Sequence, residues 1–303
     1  MSNAPYFYDY QNANQSMVSP SSIKPSNNAV SLMYQRYLLQ KAISVFKWVI
    51  PESWNRDYFL YVLYTWGFIA VFDSEQFGVI PQQCGLQGYN IFYQPTKVLV
   101  TNQLLKPMTQ TLEIGEQCEV LKLMPNYGSI MDIVSYYADQ LALAAESRDM
   151  NLINSKLAYV FFAKNNTQAQ AFKRLYDDIA AGNPSAVIDK SLLDDQGKPQ
   201  WAMFDRGLKE SYLVTDILSD MRKIEAMFDT EIGIPNANTD KRERLVTDEV
   251  NANNVETYTK AALWLEELKK ACERVNNHFG LSLSVDWRNP PESAESEVLP
   301  LES

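Results

Sequence analysis

The sequence predicts an α+β fold that is mainly α-helical. Three observations lead to this class. Apolar residues recur at helical spacing over several long segments, residues 66–127 read as short strands separated by turns, and a last amphipathic helix runs directly into an alternating strand. With 303 residues, 46% of them hydrophobic, the chain is long enough for one large or two modest domains.

The N-terminal part predicts an arm followed by two helices. Residues 1–29 are rich in Asn, Ser, Gln and Pro and lack periodic apolar positions, which is typical of a flexible segment. Within residues 30–65, an amphipathic helix is expected from Ser31 to Ile50, where Pro51 ends it, and a short aromatic helix from Trp54 to Tyr64.

Residues 66–127 predict a compact β-rich module. GFIAVF, GYNIFY and KVLV are the candidate strands, and SEQFG, QQCGLQG and QPT are the turns between them. Strands this short suit a module of small-barrel type.

Residues 128–232 return to helical periodicity. Ser129 and Asp132 have the spacing that opens a helix, and this one is expected to run to about residue 147. A strand at 158–163 and a helix at about 168–181 follow. A further helix at about 208–229 carries one apolar face, made by Leu213, Ile217, Met221, Ile224 and Phe228.

Residues 233–253 form a long, charged and aperiodic stretch between two helical segments, and loops of this length are usually functional or disordered. The stretch contains three cations, Lys241, Arg242 and Arg244. On these residues alone, a solvated surface loop is favoured, in which Lys241 and Arg242 pair with neighbouring carboxylates. Residues 254–288 predict a helix that begins near Asn253 and a strand over LSLSVDW, and residues 289–303 an acidic flexible tail.

Charge and cysteine content limit the function classes. The formal net charge is -10, which argues against a simple basic nucleic-acid binder, and ordinary solubility would explain it in a monomer. The three cysteines have neither paired nor metal-ligand spacing and suit free thiols in a reducing compartment. No signal-peptide pattern and no apolar run of about 18 residues occurs, so we expect no membrane partner.

Enzyme signatures are absent from the sequence. The only histidine, His278, is expected at the C-terminal end of a helix, where a cationic side chain interacts favourably with the negative end of the helix dipole. No phosphate-binding GxxxxGK[ST] or GxGxxG motif occurs. Acidic pairs such as Asp248-Glu249 are typical of surface carboxylates rather than of a magnesium site. We therefore expect no catalytic residues, no metal and no cofactor.

The order of the C-terminal segments resembles one known family. KRERLVTDEV, a helix that ends in KKACERVNNHFGL, and the strand LSLSVDW follow one another as in the portal protein, also called the upper collar or head-tail connector, of small short-tailed bacteriophages with protein-primed genomes. Residues 157–196 and 34–125 also follow that family in order and spacing. The resemblance spans about residues 30–288.

This resemblance implies a ring rather than an enzyme. Members of the family form closed rings, of twelve copies, at one vertex of the virion head, and double-stranded DNA passes through the channel during packaging and ejection. The long helices would be the stem around the channel, residues 66–127 an SH3-like wing, and the C-terminal helix and strand a crown. Residues 233–253 would be the channel loop, with Lys241, Arg242 and Arg244 in contact with DNA.

The resemblance also implies partners. They are a packaging ATPase, the major capsid and scaffold proteins, and a lower collar or tail protein, with assembly in the host cytoplasm. Relatives can engage a structural RNA through a basic N-terminal arm, but Lys24 is the only cation in residues 1–30, which argues against that contact. The alternatives are a lower-collar or tail ring that forms a conduit without docking the ATPase, and a nucleotide-using enzyme, for which no motif is present.

Overall fold

The computed structural model describes residues 19–22, 24–155, 166–180, 212–235 and 247–290. It is a mixed α+β structure with small antiparallel sheets. The helices are α1 (Asn28–Ser44), α2 (Arg56–Trp66), α3 (Met131–Ser155), α4 (Asn166–Ala180), α5 (Val214–Ile232) and α6 (Thr247–Phe279). The strands are β1 (Phe46–Val49), β2 (Phe68–Ser74), β3 (Gly78–Gln82), β4 (Cys84–Tyr89), β5 (Pro95–Thr101), β6 (Thr109–Glu113), β7 (Cys118–Lys122) and β8 (Ser284–Trp287). The chain divides into two compact units, residues 1–143 with 221–303, and residues 144–220.

Polar side chains set the starts of the first three helices. The Oδ1 atoms of Asn27 and Asn55 accept backbone N–H groups in the first turns of α1 and α2, at 3.0 and 2.9 Å. Ser129 Oγ accepts the N–H of Met131 at 3.2 Å at the start of α3. The long helix predicted to open at Ser129 is confirmed.

The predicted helix from Ser31 to Ile50 is wrong beyond Ser44. Residues 46–49 form β1, which pairs antiparallel with β8 and places Phe46 opposite Trp287. Phe46 and Trp48 are buried while Lys47 and Val49 are exposed, so the local period is two rather than 3.6. The partner strand lies near the other end of the sequence, and local periodicity does not reveal it.

The main core of the first unit is built around α2. Phe59, Leu63 and Tyr64 are at most 1% exposed. The Phe59 ring lies 5.1 Å from that of Trp48 and 5.5 Å from that of Trp54. Apolar residues of α1, α3, α5, α6, β1, β2, β7 and β8 complete this core.

Gly67 turns the chain from α2 directly into β2. It has φ +88°, and its N–H donates to the Leu63 carbonyl at 3.0 Å. A Cβ at this position would lie 2.4 Å from the carbonyl oxygen of Gly128, so both the conformation and the space require glycine.

The β-rich module consists of two three-stranded antiparallel sheets, β3-β2-β7 and β4-β5-β6. Ile69 and Val71 of β2 point into the main core, whereas Phe68, Ala70 and Phe72 point into a second core shared with β4, β5 and β7. Among the described strands, the hydrogen-bonded pairs in this module form two open sheets and no closed barrel. The predicted β-rich module is therefore confirmed, and the predicted small barrel is not observed.

The strand predicted over GYNIFY is wrong beyond Tyr89. Asn90 turns the chain there: its side-chain Oδ1 accepts the N–H groups of Phe92 and Gln94, and β5 begins at Pro95. The strands predicted over GFIAVF and KVLV are confirmed as parts of β2 and β5.

The second unit contains the end of α3, α4 and the first turns of α5. The N–H of Leu213 donates to Asn151 Oδ1 at 3.1 Å. The helix predicted at 168–181 is observed as α4, and the strand predicted at 158–163 lies outside the described residues. None of the helices in the described ranges is both long and apolar enough to cross a membrane.

Candidate functional site

The three cations predicted to contact DNA lie between Pro235 and Thr247, outside the described residues. The role of Lys241, Arg242 and Arg244 therefore stays a prediction. The structure does describe both ends of this segment, which are the C-terminus of α5 and the N-terminus of α6. The candidate site is built here from the contacts that fix those two ends.

The end of α5 is fixed by packing and by a hydrogen-bonded cap. Phe228 and Ile232 are fully buried in the main core, and the Phe228 ring packs edge-on against Tyr137 at 5.7 Å. Gly233 has φ +82° and its N–H donates to the Thr230 carbonyl, while the N–H of Ile234 donates to the Asp229 carbonyl at 2.8 Å. This pair of bonds is a Schellman cap, so the chain leaves the core at a defined point.

An ionic cluster ties α1 to the last turns of α5. Lys41 Nζ lies 2.8 Å from Glu225 Oε1 and 2.6 Å from Asp229 Oδ1, and the Tyr37 hydroxyl donates to Glu225. Burial raises the pKa of the Asp229 carboxyl, and the Lys41 ammonium offsets this only in part. Burial also acts on Glu225, but hydrogen bonds from Lys41 and Tyr37 hold its pKa below the usual range.

The start of α6 differs from the sequence expectation. The predicted loop ends at residue 253, with Asn253 as the cap of the next helix, but α6 begins at Thr247. Asp248 and Glu249 therefore belong to the first turn of this helix and not to the loop. The helical stretch adjoining the cationic segment is thus longer than predicted.

A surface ion pair links the two flanking helices. Lys260 Nζ of α6 lies 2.8 Å from Glu231 Oε2 of α5. Both side chains are more than a third exposed, so the pair contributes at most about 1 kcal/mol. Burial of Ala261, Leu265 and Leu268 in the main core fixes α6 more strongly.

The β-rich module is attached to the second half of α6. Glu119 of β7 is 7% exposed, and its carboxylate lies 3.4 Å from Arg274 Nε and 3.3 Å from His278 Nδ1. Lys122 pairs with Glu267 at 3.2 Å. His278 is in the last turn of α6, as predicted, but its carboxylate partner was not predicted. A charged residue within the apolar run CEVLK was the one available signal.

A buried carboxylate of α3 holds the start of α1 and the residues before it. Asp139 accepts hydrogen bonds from Ser31 Oγ at 2.7 Å, Ser19 Oγ at 2.9 Å and Lys24 Nζ at 3.0 Å. Ser19 and Lys24 belong to residues 1–29, for which the sequence predicts flexibility. The signal in the sequence was an acidic residue on the apolar face of α3, between Ala138 and Leu141.

Among the residues that the structure describes, neither metal ligands nor reactive thiols are apparent. Within the described ranges, no group of three His, Cys, Asp or Glu side chains could hold a metal ion. Burial raises the pKa of each cysteine thiol to about 12, which keeps it protonated at neutral pH. These thiols are those of Cys84, Cys118 and Cys272.

Comparison with known proteins gives a family match over most of the chain. The family model described as Phage Connector (GP10) matches residues 16–290. Among solved structures, the chain is similar to one from the portal and tail of native bacteriophage P68, with 16% identity, 89% of each chain covered and a TM-score of 0.47. It is also similar to a chain from the virion of a native gene transfer agent particle, with 10% identity, 93% of this chain and 89% of that chain covered, and a TM-score of 0.42.

Proposed function

Because this chain belongs to the Phage Connector (GP10) family and is a head-tail connector protein of the virion portal vertex, we propose that twelve copies of it form a closed ring. The protein is a structural component rather than an enzyme. The observation that carries the proposal is the family match, since it extends over residues 16–290 and includes the cationic segment and both helices beside it.

Ring closure gives the cationic segment its role. Cyclic symmetry repeats Lys241, Arg242 and Arg244 around the channel as stacked rings of positive charge. Rings of charged side chains are the means by which pores attract or exclude charged solutes. Double-stranded DNA passing through would meet these side chains through its phosphates, so the contacts would be independent of sequence and weakened by salt. The capped end of α5 and the helical start of α6 support this role because they bound the segment on both sides.

The other parts of the chain then take the positions that the family resemblance implies. The long helices α3, α5 and α6 form the stem around the channel, the β-rich module an SH3-like wing toward the shell, and the end of α6 with β8 a crown. The partners are a packaging ATPase, the major capsid and scaffold proteins and a lower collar or tail protein. The attachment of β7 to α6 through Glu119 supports a wing that is fixed rigidly to the stem.

Mass and symmetry of the purified protein test the ring. We expect light scattering to give a mass near twelve subunits and averaged electron micrographs to show a closed ring with a central hole. A chain that stays monomeric at high concentration, with and without scaffold protein, would contradict the ring.

The channel role has a separate test in DNA retention. Replacing Lys241, Arg242 and Arg244 together by Ala should leave ring formation intact and reduce the salt-sensitive retention of packaged DNA. A matched control removes three cations that are exposed on other parts of the protein, by Lys47→Ala, Lys106→Ala and Lys173→Ala. If both variants retain DNA equally well, the three predicted cations do not contact it.

A deletion variant tests the segment as a whole. Removing residues 238–246 keeps all of α6, which begins at Thr247. Rings should still form, and packaged DNA should leak out of them. Loss of the ring on deletion would instead show that the segment is needed for assembly.

A further inference from the structure

The turn between β4 and β5 holds three consecutive apolar side chains in water. Ile91, Phe92 and Tyr93 are 86%, 70% and 70% exposed. Turns normally contain Gly, Pro, Asn, Asp or Ser, and a contiguous exposed apolar patch is a common mark of an interaction site. We name residues 91–93 the hairpin tip.

The hairpin tip is rigid because its backbone is hydrogen-bonded to Asn90. The N–H groups of Phe92 and Gln94 donate to Asn90 Oδ1 at 2.9 and 3.0 Å, and the Tyr93 N–H donates to the Asn90 carbonyl at 3.0 Å. Tyr93 adopts φ +57°, which is uncommon for a residue with a side chain. A turn held in this way loses little conformational entropy when it binds.

The same unit contains a concave apolar surface. A groove of about 500 Å³ lies between α1, α2 and the start of α3, and Leu32, Leu39, Tyr61, Met131 and Arg36 are among the residues that line it. Leu32 and Tyr61 are each 57% exposed. Leu38 and Ala42 on the same helix α1 are buried in the core, so α1 has apolar side chains on two sides. We name this surface the α1–α2 groove.

We propose that the hairpin tip of one subunit inserts into the α1–α2 groove of the neighbouring copy, a contact that rests on the proposed ring. The exposure of the tip shows that it does not fill the groove of its own chain. A cyclic ring joins two different surfaces of each subunit, and a convex apolar tip with a concave apolar groove is such a pair.

The contact area is that of a small specific interface. Aromatic side chains bury about 150–250 Å² each, so Phe92 and Tyr93 together with Ile91 would bury roughly 500 Å², and the surface that covers them about as much again. The total of about 1,000 Å² is near the lower bound for a specific interface. Arg36 adds a cation that can lie over the Phe92 or Tyr93 ring. Each subunit has a net charge of -10, and a contact made of apolar side chains and one cation places no two carboxylates against each other.

Crosslinking between subunits tests the contact directly. The variant Phe92→Cys with Leu32→Cys is treated with a short bismaleimide, which leaves the three buried native cysteines unmodified. We expect a ladder of crosslinked subunits that ends at the ring size. The control pair Phe92→Cys with Leu104→Cys uses another side chain that is 75% exposed, and it should give no ladder.

Substitution in the hairpin tip gives the second readout. Phe92→Ser should raise the protein concentration at half-assembly by at least about tenfold. Phe92→Leu keeps an apolar side chain at this position and should assemble as the wild-type protein does. Leu104→Ser should leave the concentration at half-assembly unchanged. Circular dichroism checks that each variant is folded.

The outcomes separate this contact from the ring itself. Wild-type rings with no ladder and unchanged assembly of Phe92→Ser would overturn the contact and leave the ring standing. Normal assembly of Phe92→Ser with lost binding to the capsid shell protein would assign the hairpin tip to the shell instead. A wild-type chain that forms no ring would overturn both.

Discussion

Replacing Asp139 by Asn should release the start of α1 from α3. The carboxylate side chain is 5% exposed and accepts three hydrogen bonds. The amide keeps the size of the side chain and one acceptor oxygen, but it loses the charge that holds the Lys24 ammonium, and its NH₂ group cannot accept a bond from a hydroxyl. The arm should therefore open more often while the rest of the core stays folded.

The expected magnitude follows from the three bonds. A hydrogen bond to a charged group contributes about 1.5–3 kcal/mol, whereas Lys24 is 57% exposed and its pair contributes at most about 1 kcal/mol. Because Asn retains the bond from Ser31, a net loss of about 2 kcal/mol is reasonable. That loss corresponds to about a 30-fold increase in the opening equilibrium.

Amide hydrogen exchange of the first turn of α1 measures this opening. The N–H groups of Val30 and Ser31 donate to the Asn27 carbonyl, and their exchange should accelerate by about 30-fold in the variant. Asp132→Asn is the control, because that carboxylate lies on the same helix and accepts the N–H of Ile133 at its own helix end. Unchanged exchange in a folded Asp139→Asn protein would refute the reasoning.

Acid should mimic the substitution. Burial acts to raise the pKa of Asp139, but hydrogen bonds from Ser31, Lys24 and Ser19 outweigh it and hold the pKa below the ordinary value. A carboxyl group with a lowered pKa in the folded state stabilises that state at pH values above its ordinary pKa, and the contribution is lost as the pH falls through the folded-state pKa. Fast exchange in the first turn of α1 should therefore appear only at acidic pH.

Three further predictions concern the core and the attachment of the module. Phe228→Ala should lower the free energy of unfolding in urea by about 3–5 kcal/mol, because a fully buried ring is lost, while Met227→Ala, 57% exposed, should have little effect; equal losses would contradict the packing. Arg274→Ala should destabilise the protein by about 1 kcal/mol, because it leaves buried Glu119 with His278 as its remaining ion-pair partner. Lys270→Ala removes an exposed pair and should not change the melting temperature measurably, and the reverse order would count against the attachment of β7 to α6 through Glu119. Native protein should not react with a thiol reagent at pH 8, since the three thiol pKa values are near 12, and rapid labelling would show that a cysteine is accessible.

Much of the fold is predictable because it depends on local order. The helical face that ends at Phe228 was predicted from its spacing: Phe228 is fully buried in α5, whereas Leu213, the first residue of that face, lies before the helix and is 48% exposed. The strand over GFIAVF was predicted from its composition and turns. The connector family was also accessible from the sequence, because the order of segments is itself a signal, and the family match over residues 16–290 agrees with it.

Contacts between distant residues account for what the sequence did not reveal. The spacing of apolar residues at 46–49 fits a helix, and only the pairing with β8 makes this segment a strand. Asp139 and Ser31, which are hydrogen-bonded, are 108 residues apart. His278 and Glu119 are separated by 159 residues. In the candidate site, contacts of this kind fix the end of α5, where Lys41 pairs with Asp229 and Tyr137 packs against Phe228, so the sequence could identify the charged residues but not these partners.

The pairing of β1 with β8 also governs when a newly made chain can finish folding. Phe46 and Arg288, which are hydrogen-bonded across this pairing, are 242 residues apart in the sequence. At a synthesis rate of about 5–20 residues per second, β1 waits roughly 10–50 s for its partner to be translated. A chain that terminates before residue 284 lacks β8, so Phe46 loses its ring contact with Trp287 and Trp48 loses its pairing with Val285. Translation through β8 is therefore required before β1 can pair and this edge of the main core can close.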